Sequence, residues 1–251
     1  MRGLSGKTAI ISGSSRGIGK AIALRLAREG VAVFITAEQV SDELLRARTE
    51  CEQLGRVQHG AFDLQQPGAA EAMVEAALEA FGRIDILVNN AGIRGPGSFG
   101  QFSHAEFDQV VAVNLRAAFF ASQAVIPAMK AQGGGRIIHV ASQHGIVANE
   151  GRALYGMTKA ALAYLARAMA YELSPFNILV NAVSPGPIAS EAYQQRAAAD
   201  PEFARRRLSY IPLGRVGEPD EVAATVAFLA SDEATFIQGH NLVVDGGYII
   251  H

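Results

Sequence analysis

Short apolar runs rich in valine and isoleucine alternate with longer helical patterns along nearly all of the 251-residue chain. Strands that are apolar on both faces and are joined by helices predict a parallel sheet covered by helices on its two sides. The predicted strands are residues 8–12, 31–36, 57–62, 85–90, 136–142, 178–184 and 241–246. The predicted helices are residues 18–29, 41–54, 68–81, 104–130, 153–173 and 219–230. The chain is therefore expected to form an α/β fold with a doubly wound, seven-stranded parallel sheet.

A polar stretch rich in alanine and arginine, residues 187–212, is the long departure from this rhythm. It falls between the sixth predicted strand and the last predicted helix. Insertions of this kind in a compact domain are typically functional lids or helical excursions. We therefore expect a small helical lid at about 187–212 on a single domain that spans residues 1–251.

The composition limits the class of protein. Hydrophobic residues make up 49% of the chain, enough for one sizeable core. The net charge of −2, with scattered Lys and Arg, indicates neither a nucleic-acid partner nor an anionic membrane surface. The single cysteine, Cys51, excludes an intramolecular disulfide. The N-terminus lacks the apolar run of a signal peptide, and no segment is expected to span a bilayer, so a cytoplasmic protein is predicted.

In parallel sheets of this kind, ligands bind beyond the carboxyl ends of the strands. The first strand is followed by Gly13, Gly17 and Gly19 and then by a helix. Glycines let backbone N–H groups approach a phosphate, and the helix offers its positive N-terminal end. A tight strand–helix connection is the alternative that these glycines leave open. Ala21 stands where a triphosphate-binding loop would carry Ser or Thr, which argues against nucleotide triphosphate hydrolysis.

The next strand ends carry residues that can recognise the rest of a nucleotide. Glu38 favours a ribose 2′-hydroxyl, whereas Arg16 favours a 2′-phosphate. Asp63 can accept a bond from an adenine amino group, or it can serve as a turn aspartate. The two asparagines at 89–90 offer amides that tie neighbouring strands together, and the small residues at 91–92 leave room for a flat ligand.

Tyr155 precedes Lys159 by four residues in an apolar, alanine-rich helical stretch. This spacing places both side chains on one helix face, where the ammonium favours the phenolate and lowers the pKa of the tyrosine. A lysine that snorkels over a buried tyrosine is the alternative, and the spacing by itself favours that alternative.

Several short motifs occur in order, each at a strand or helix end. They are GSSRGIG at 13–19, NNAG at 89–92, VNL at 113–115, Ser142, YGMTK at 155–159, SPGPIAS at 184–190 and VDGG at 244–247. By these motifs the chain resembles the short-chain dehydrogenase/reductase family from about Leu4 to Gly247. Ser12 and Ser190 stand where the family usually has threonine, and both keep a hydroxyl. Ala37 leaves the choice of cofactor open.

The resemblance implies a Rossmann-type fold that binds NAD(P)(H) together with a small alcohol or ketone substrate. It implies that Tyr155 is the general acid/base and that Lys159 holds the nicotinamide ribose beside it. Ser142 would donate a bond to the substrate oxygen, and Asn114 would order a water that connects the lysine to solvent. The implied cofactor-binding residues are Gly13, Ser15, Arg16, Gly17, Ile18, Gly19, Asp63, Leu64, Asn90, Ala91, Gly92, Tyr155, Lys159, Pro185, Gly186, Ile188 and Ser190. The residues expected to line the substrate pocket are Ser142, Gln143, His144, Ile146, Asn149, Tyr155 and Tyr193.

Two other classes of function account for the same residues less well. A Rossmann-type methyltransferase would leave Tyr155, Lys159 and the NNAG motif without a role. A non-catalytic binding protein normally lacks part of the catalytic set, which is complete here. Within the enzymes, a 3-oxoacyl-thioester reductase is the alternative to a dehydrogenase of a polyol, a sugar or a small cyclic alcohol. Arg16 together with Ala37 favours NADP, and NAD stays possible.

The resemblance also implies an assembly. In similar proteins the helix that holds the catalytic tyrosine, the long helix before it and the C-terminal strand form two-fold interfaces. The alanines of that helix, at residues 160–170, would let another helix approach closely. The apolar ending at Tyr248, Ile249 and Ile250 suggests a buried C-terminus. A homotetramer is therefore expected.

Overall fold

The computed structural model describes residues 1–95 and 97–250, with the backbone alone at residues 192 and 196. Within these residues, seven strands pair in one sheet: β1 (Thr8–Ile11), β2 (Ala32–Ala37), β3 (Val57–Ala61), β4 (Ile86–Asn89), β5 (Gly135–Val140), β6 (Ile178–Pro185) and β7 (Asn241–Val244). All neighbouring strands are parallel, in the order β3-β2-β1-β4-β5-β6-β7. The predicted doubly wound parallel sheet is confirmed.

Helices cover both faces of this sheet. They are α1 (Gly17–Arg28), α2 (Asp42–Glu52), α3 (Ala69–Phe81), α4 (His104–Val111), α5 (Ala117–Ala131), α6 (Ala153–Leu173), α7 (Glu191–Ala199), α8 (Pro201–Ser209) and α9 (Pro219–Ala230). On one face Ile22 of α1 packs in a core with Val226 of α9. On the other face Met73 of α3 packs in a core with Leu162 of α6. The strands between the two edges of the sheet are buried on both sides because each side faces a core.

The stretch predicted as one helix over 104–130 is interrupted. A π-helical turn, Ala112–Arg116, joins α4 to α5. Such turns add a residue to the helical repeat and frequently occur at functional sites. Here the turn contains Asn114, which is fully buried.

The expectation that no segment has the length and apolarity to span a bilayer is wrong for this helical stretch. His104–Ala131 has 28 residues, and its most apolar window has a mean hydropathy of 1.4. The apolarity has a local cause, because 44% of that window is buried inside the protein, where α5 packs on α3, β4 and β5.

The segment predicted to be a helical lid contains α7 and α8. Helix α8 begins where the sequence favours a helix start. Asp200 is the N-cap, and its Oδ1 accepts a hydrogen bond from the backbone N–H of Phe203 at 2.9 Å. Pro201 occupies the first helical turn, where its missing N–H costs nothing.

Candidate active site

A cleft of about 720 Å³ lies along the carboxyl ends of the strands, the edge at which a ligand site was expected. Sixteen of the seventeen predicted cofactor-binding residues line it: Gly13, Ser15, Arg16, Ile18, Gly19, Asp63, Leu64, Asn90, Ala91, Gly92, Tyr155, Lys159, Pro185, Gly186, Ile188 and Ser190. The predicted Gly17 is not among the lining residues. Gly17 is the first residue of α1 and has a φ of +55°, a left-handed backbone conformation that glycine adopts more easily than other residues.

The glycine turn after β1 is closely packed. A side chain at Gly13 would lie 2.9 Å from the Cα of Ala91, and one at Gly19 would lie 2.3 Å from the carbonyl oxygen of Gly13. Arg16 is the N-cap of α1 and its side chain makes no capping hydrogen bond. The turn therefore presents bare backbone and the N-terminal end of α1 to the cleft, an arrangement that fits the pyrophosphate of a dinucleotide.

The two asparagines at the end of β4 tie neighbouring strand ends together, as the sequence predicts. The amide of Asn90 donates to the carbonyls of Ser12 and Gly13, each at 2.9 Å. The amide of Asn89 donates to Ser122 at 2.9 Å and lies 3.2 Å from Nδ1 of His139. These bonds fix the floor of the cleft between β1 and β5.

Charged residues of both signs lie at the end of the cleft beyond β2. Glu38, Arg16 and Glu43 all line it, and Arg16 Nη1 lies 3.8 Å from Glu43 Oε1. Asp63 lines it too, but its carboxylate accepts hydrogen bonds from the backbone of Gln65 and the side chain of Gln66, each at 3.0 Å. These two bonds hold the pKa of Asp63 below its usual range. In this structure Asp63 has the geometry of a turn aspartate.

The catalytic candidates meet at the other end of the cleft, where the turn after β5 packs on α6. A side chain at Gly145 would lie 2.7 Å from the backbone N of Ala160, and one at Gly156 would lie 2.5 Å from the carbonyl oxygen of His144. The two glycines let the turn approach the helix closely. As a result Ser142, which follows β5, lies close enough to Tyr155 of α6 for its hydroxyl to influence the pKa of the phenol. Ser142 Oγ also accepts a bond from the backbone N–H of His144 at 3.2 Å.

Lys159 is buried below Tyr155. Its Nζ donates to the carbonyl of Val140 at 2.7 Å and lies 5.7 Å from the centre of the Tyr155 ring. Burial lowers the pKa of Lys159 from 10.5 to about 8, because desolvation disfavours the charged amine.

The expected lowering of the Tyr155 pKa by Lys159 does not dominate in this structure. Burial raises the pKa of Tyr155 above that of a free tyrosine, and this effect outweighs the opposing influence of the Ser142 hydroxyl and of the positive charges on Arg94 and Arg152. The sequence shows that a lysine shares the helix face, but it does not show how deeply the phenol is buried.

Asn114 connects the helix interruption to the catalytic helix. Its Oδ1 accepts from the backbone N–H of Ile93 at 2.8 Å, and its Nδ2 donates to the Ile93 carbonyl at 2.9 Å and to Thr158 Oγ1 at 3.1 Å. Thr158 in turn donates to the carbonyl of Tyr155 at 2.8 Å. Asn114 thus links the segment that follows β4 to the catalytic helix α6.

The substrate end of the cleft differs from the expectation in two positions. Ser142, Gln143, His144, Tyr155 and Tyr193 line it as expected. Ile146 and Asn149 are not among the lining residues. Ile146 is exposed, and the Asn149 amide donates to the Tyr248 hydroxyl at 3.0 Å, because the chain turns away from the cleft after the 3₁₀ turn Gln143–Gly145.

Sequence reasoning did not identify several polar or aromatic lining residues. They include Glu43, Arg94, Arg152, Phe203 and Arg207. Arg94 lies two residues after the NNAG motif, and Arg152 directly precedes α6. Their closeness in the sequence to motifs of the site could have indicated that both arginines line the cleft. Within the described residues, no group of three or more His, Cys, Asp or Glu side chains is arranged to hold a metal ion.

Comparison with known proteins gives concordant results. The model of a family described as enoyl-(acyl carrier protein) reductase matches residues 13–249. The chain is 39% identical to a 3-oxoacyl-(acyl-carrier-protein) reductase of Thermotoga maritima, over 98% of this chain and 99% of that protein. It is 39% identical to an L-rhamnose 1-dehydrogenase (NAD(P)(+)) of Azotobacter vinelandii, over 98% of this chain and 97% of that protein.

Solved structures agree. A protein from Beutenbergia cavernae, described as an NAD(P)-dependent gluconate 5-dehydrogenase with bound NADP, superposes with a TM-score of 0.91 at 35% identity, covering 99% of this chain and 98% of that one. A 7α-hydroxysteroid dehydrogenase complexed with NADH superposes with a TM-score of 0.91 at 35% identity, covering 97% of this chain and 94% of that one.

The sheet order, the glycine turn and the likeness over nearly the full length agree with one another. The chain belongs to the short-chain dehydrogenase/reductase family, whose members use NAD(P) to oxidise CH–OH groups or to reduce the corresponding carbonyl groups.

Proposed function

We propose that the protein interconverts a secondary alcohol and a ketone, with Tyr155 as the general acid/base. The observation that carries this proposal is the meeting of Ser142, Tyr155 and Lys159 at one end of a cleft whose other end holds the glycine turn. Nicotinamide, when bound, supplies or accepts the hydride.

The proton step follows from the tyrosine's surroundings. In the reducing direction Tyr155 donates its proton to the carbonyl oxygen of the substrate, and the raised pKa keeps the phenol protonated for this purpose at neutral pH. Ser142 donates a second hydrogen bond to the same oxygen and stabilises the charge that develops on it. In the oxidising direction Tyr155 takes the proton back. The Lys159 ammonium stabilises the phenolate, and Asn114 holds the water that links the lysine to solvent.

A 3-oxoacyl-thioester reductase is the second candidate, because the relative from Thermotoga maritima carries that activity in its name. The two candidates differ in substrate and share the chemistry. A panel of polyols, sugars, small cyclic alcohols and a 3-oxoacyl thioester, each tested with NAD(H) and NADP(H), separates them. Turnover is followed by the absorbance of the reduced nicotinamide. A panel in which the thioester alone reacts would favour the second candidate.

We further propose that NADP(H) is the preferred cofactor. Arg16 lines the cleft with its side chain 74% exposed, so it is available to a 2′-phosphate. Ala37 supplies no carboxylate at the end of β2. Glu43 competes for the guanidinium at 3.8 Å, and Glu38 lines the same region. The exposed ion pair with Glu43 is weak in water, and a phosphate with two negative charges would displace it.

Substitutions in this region are expected to separate the two cofactors. Arg16→Ala should lower kcat/KM for NADP at least about 10-fold, since hydrogen bonds to charged groups are worth that much, and should leave NAD use nearly unchanged. Glu43→Gln should improve NADP use by freeing Arg16, and Glu38→Ala should change little. Steady-state kinetics with both cofactors measure this. If Glu38→Ala cripples NAD use while Arg16→Ala is silent, Glu38 binds the ribose and the proposed preference is wrong.

The proposed assembly is a cytoplasmic homotetramer. Ala163, Ala166 and Ala170 of α6 are buried, whereas the outer face of the helix shows Met157, Tyr164 and Tyr171 at 49%, 70% and 90% exposure. This outer stripe, together with Phe119 of α5 at 45% exposure, supports a helix-to-helix interface between copies. The C-terminal expectation is met in part, since Tyr248 is buried within the chain but Ile250 is exposed.

Light scattering at micromolar concentration is expected to give the mass of a tetramer. Tyr164→Glu, which places a charge in the exposed stripe of α6, should dissociate it into smaller species. Leu54→Glu, at a partly exposed position beyond the end of α2, is the matched control and should leave the mass unchanged. A monomer for the unmodified protein would refute the assembly.

We also propose that α7 and α8 act as a lid over the substrate. Both helices place side chains in the cleft, Tyr193 from α7 and Phe203 and Arg207 from α8. The Tyr193 and Phe203 rings lie 5.9 Å apart and join the two helices on the cleft side. A substrate contacting these side chains would hold the lid closed and exclude water from the reacting atoms.

A further inference from the structure

Three arginines from separate parts of the chain line the same end of the cleft as Tyr155. Arg94 follows β4, Arg152 precedes α6, and Arg207 belongs to α8. Arg94 is exposed at the rim, whereas Arg152 and Arg207 are partly buried. Three guanidinium groups around a pocket for a small molecule give it a strongly positive potential.

Among the described residues, the acidic side chains that line the cleft lie at its other end. The carboxylates among the lining residues of the described chain are Glu38, Glu43 and Asp63, and all three follow β2 or β3 at the opposite end of the cleft. Arg205, a neighbour of Arg207 on α8, pairs with Glu202 on the exposed side of the helix. The positive potential is therefore concentrated at the substrate end.

Titratable groups in the pocket respond to this potential. Burial first, and then the charges of Arg207, Arg152 and Arg94, lower the pKa of His144 to about 4, so its ring is neutral at neutral pH. Nδ1 of His144 is buried and has no hydrogen-bond partner among the described residues. The ring can therefore serve a ligand without adding a fourth positive charge.

Arg207 is positioned by an aromatic ring. Its guanidinium carbon lies 5.8 Å from the centre of the Phe203 ring, and its Nε is buried without a hydrogen-bond partner among the described residues. A buried donor that makes no hydrogen bond costs free energy unless a ligand accepts from it. A planar guanidinium also matches a carboxylate or a phosphate, which can accept two parallel N–H bonds.

We infer that the substrate carries an anionic group, a carboxylate or a phosphate ester, close to its carbinol or keto carbon, and that Arg94, Arg152 and Arg207 bind this group. The inference rests on the proposed oxidoreductase function and specifies its substrate class. Because Arg207 lies on α8, binding of the anion also draws the lid towards the reacting centre. A neutral alcohol of the same size lacks this contact.

Matched substrates test the inference by activity. Acetoacetate is compared with its methyl ester, and dihydroxyacetone phosphate with dihydroxyacetone, so each pair differs in the anionic group. The anionic member of at least one pair is expected to have a kcat/KM about 10-fold or more above its neutral partner, since charge-assisted hydrogen bonds are worth that much. Arg207→Gln should remove this advantage by lowering kcat/KM for the anionic substrate. Arg206→Gln, an exposed neighbour on α8 outside the cleft, is the matched control and should retain it.

A binding measurement keeps the inference separate from the proposed function. Acetoacetate and dihydroxyacetone phosphate are titrated into the Tyr155→Phe protein with NADPH bound, and the fluorescence of the nicotinamide reports binding without turnover. Binding that Arg207→Gln weakens about 10-fold supports the anion site even if no ketone is ever reduced, in which case the proposed function alone fails. Equal binding of the anionic and neutral members, or binding that Arg207→Gln leaves unchanged, overturns the anion site even if neutral ketones are reduced.

Discussion

Replacement of Tyr155 by phenylalanine is expected to lower kcat by about 10³-fold, within the range that general acid/base groups contribute. The phenol oxygen is the atom proposed to exchange a proton with the substrate. The change removes that oxygen and keeps the ring, which packs 6.3 Å from the His144 ring at 73°. The binding of NADPH should therefore stay within a few-fold of wild type. Single-turnover kinetics and a fluorescence titration of NADPH measure the two quantities.

Ser142→Ala is the companion variant for this experiment. It removes the hydroxyl that is proposed to donate to the substrate oxygen, but it leaves the tyrosine as the proton source. Its expected loss in kcat is smaller, about 10²-fold, as for removal of one oxyanion donor. A Tyr155→Phe protein that keeps near wild-type turnover would remove the tyrosine from the mechanism.

Replacement of Lys159 by methionine is expected to damage activity and to stabilise the cofactor-free protein. Activity should fall about 10²-fold or more, because the variant loses the ammonium that stabilises the phenolate. KM for the cofactor should rise too, since Lys159 is proposed to bind the ribose. The stability effect arises from burial, which lowers the folded-state pKa from 10.5 to about 8. Keeping the amine charged at neutral pH therefore costs the folded state about 3 kcal/mol.

The sign of the pH dependence follows from that shift. Between about pH 8 and 10.5 the unfolded chain holds the lysine proton and the folded chain releases it, so this group makes stability rise with pH in that window. Below about pH 8 the buried lysine is charged, and its unfavourable contribution to the free energy of folding is fully present. Methionine removes the cost and also the bond to Val140, so we expect a net gain of about 1–2 kcal/mol at neutral pH and a flatter pH dependence.

Urea unfolding of the cofactor-free proteins, at one protein concentration because assembly contributes to stability, measures this effect. A Lys159→Met protein that is less stable than wild type at neutral pH would show that the charged lysine stabilises the fold. The expected result, a more stable and less active protein, would show that the fold tolerates an unfavourable charge for the sake of the site.

The fold could be predicted from the sequence because its strands carry apolar residues on both faces. That pattern fits a sheet between two helical layers and little else, and the strands lie within one or two residues of their predicted bounds. The glycine turn could be predicted from the sequence as well. Gly13 and Gly19 lie so close to neighbouring backbone atoms that a side chain at either position would clash. Their spacing in the sequence therefore reflects a geometric requirement.

Burial and loop paths could not be predicted in the same way. The pKa of Tyr155 depends on how the turn after β5 covers the ring, and the helix pattern contains no information about that turn. Asn149 was expected in the pocket, yet the chain leaves the cleft before it and the residue bonds to Tyr248, 99 positions away. Arg207 reaches the pocket because of the angle at which α8 packs, which a polar helix of nine residues does not specify.

In the proposed reaction a hydride passes between the carbinol carbon of a secondary alcohol and the nicotinamide. The most direct measurement uses an alcohol substrate carrying deuterium on that carbon, incubated with the enzyme and oxidised NADP, with the reduced cofactor analysed by mass spectrometry. The expected result is a reduced nicotinamide that contains one deuterium for each ketone formed, with Tyr155→Phe forming almost none. Ketone formation without deuterium in the cofactor, or no ketone with any alcohol of the panel and either cofactor, would contradict the proposed function.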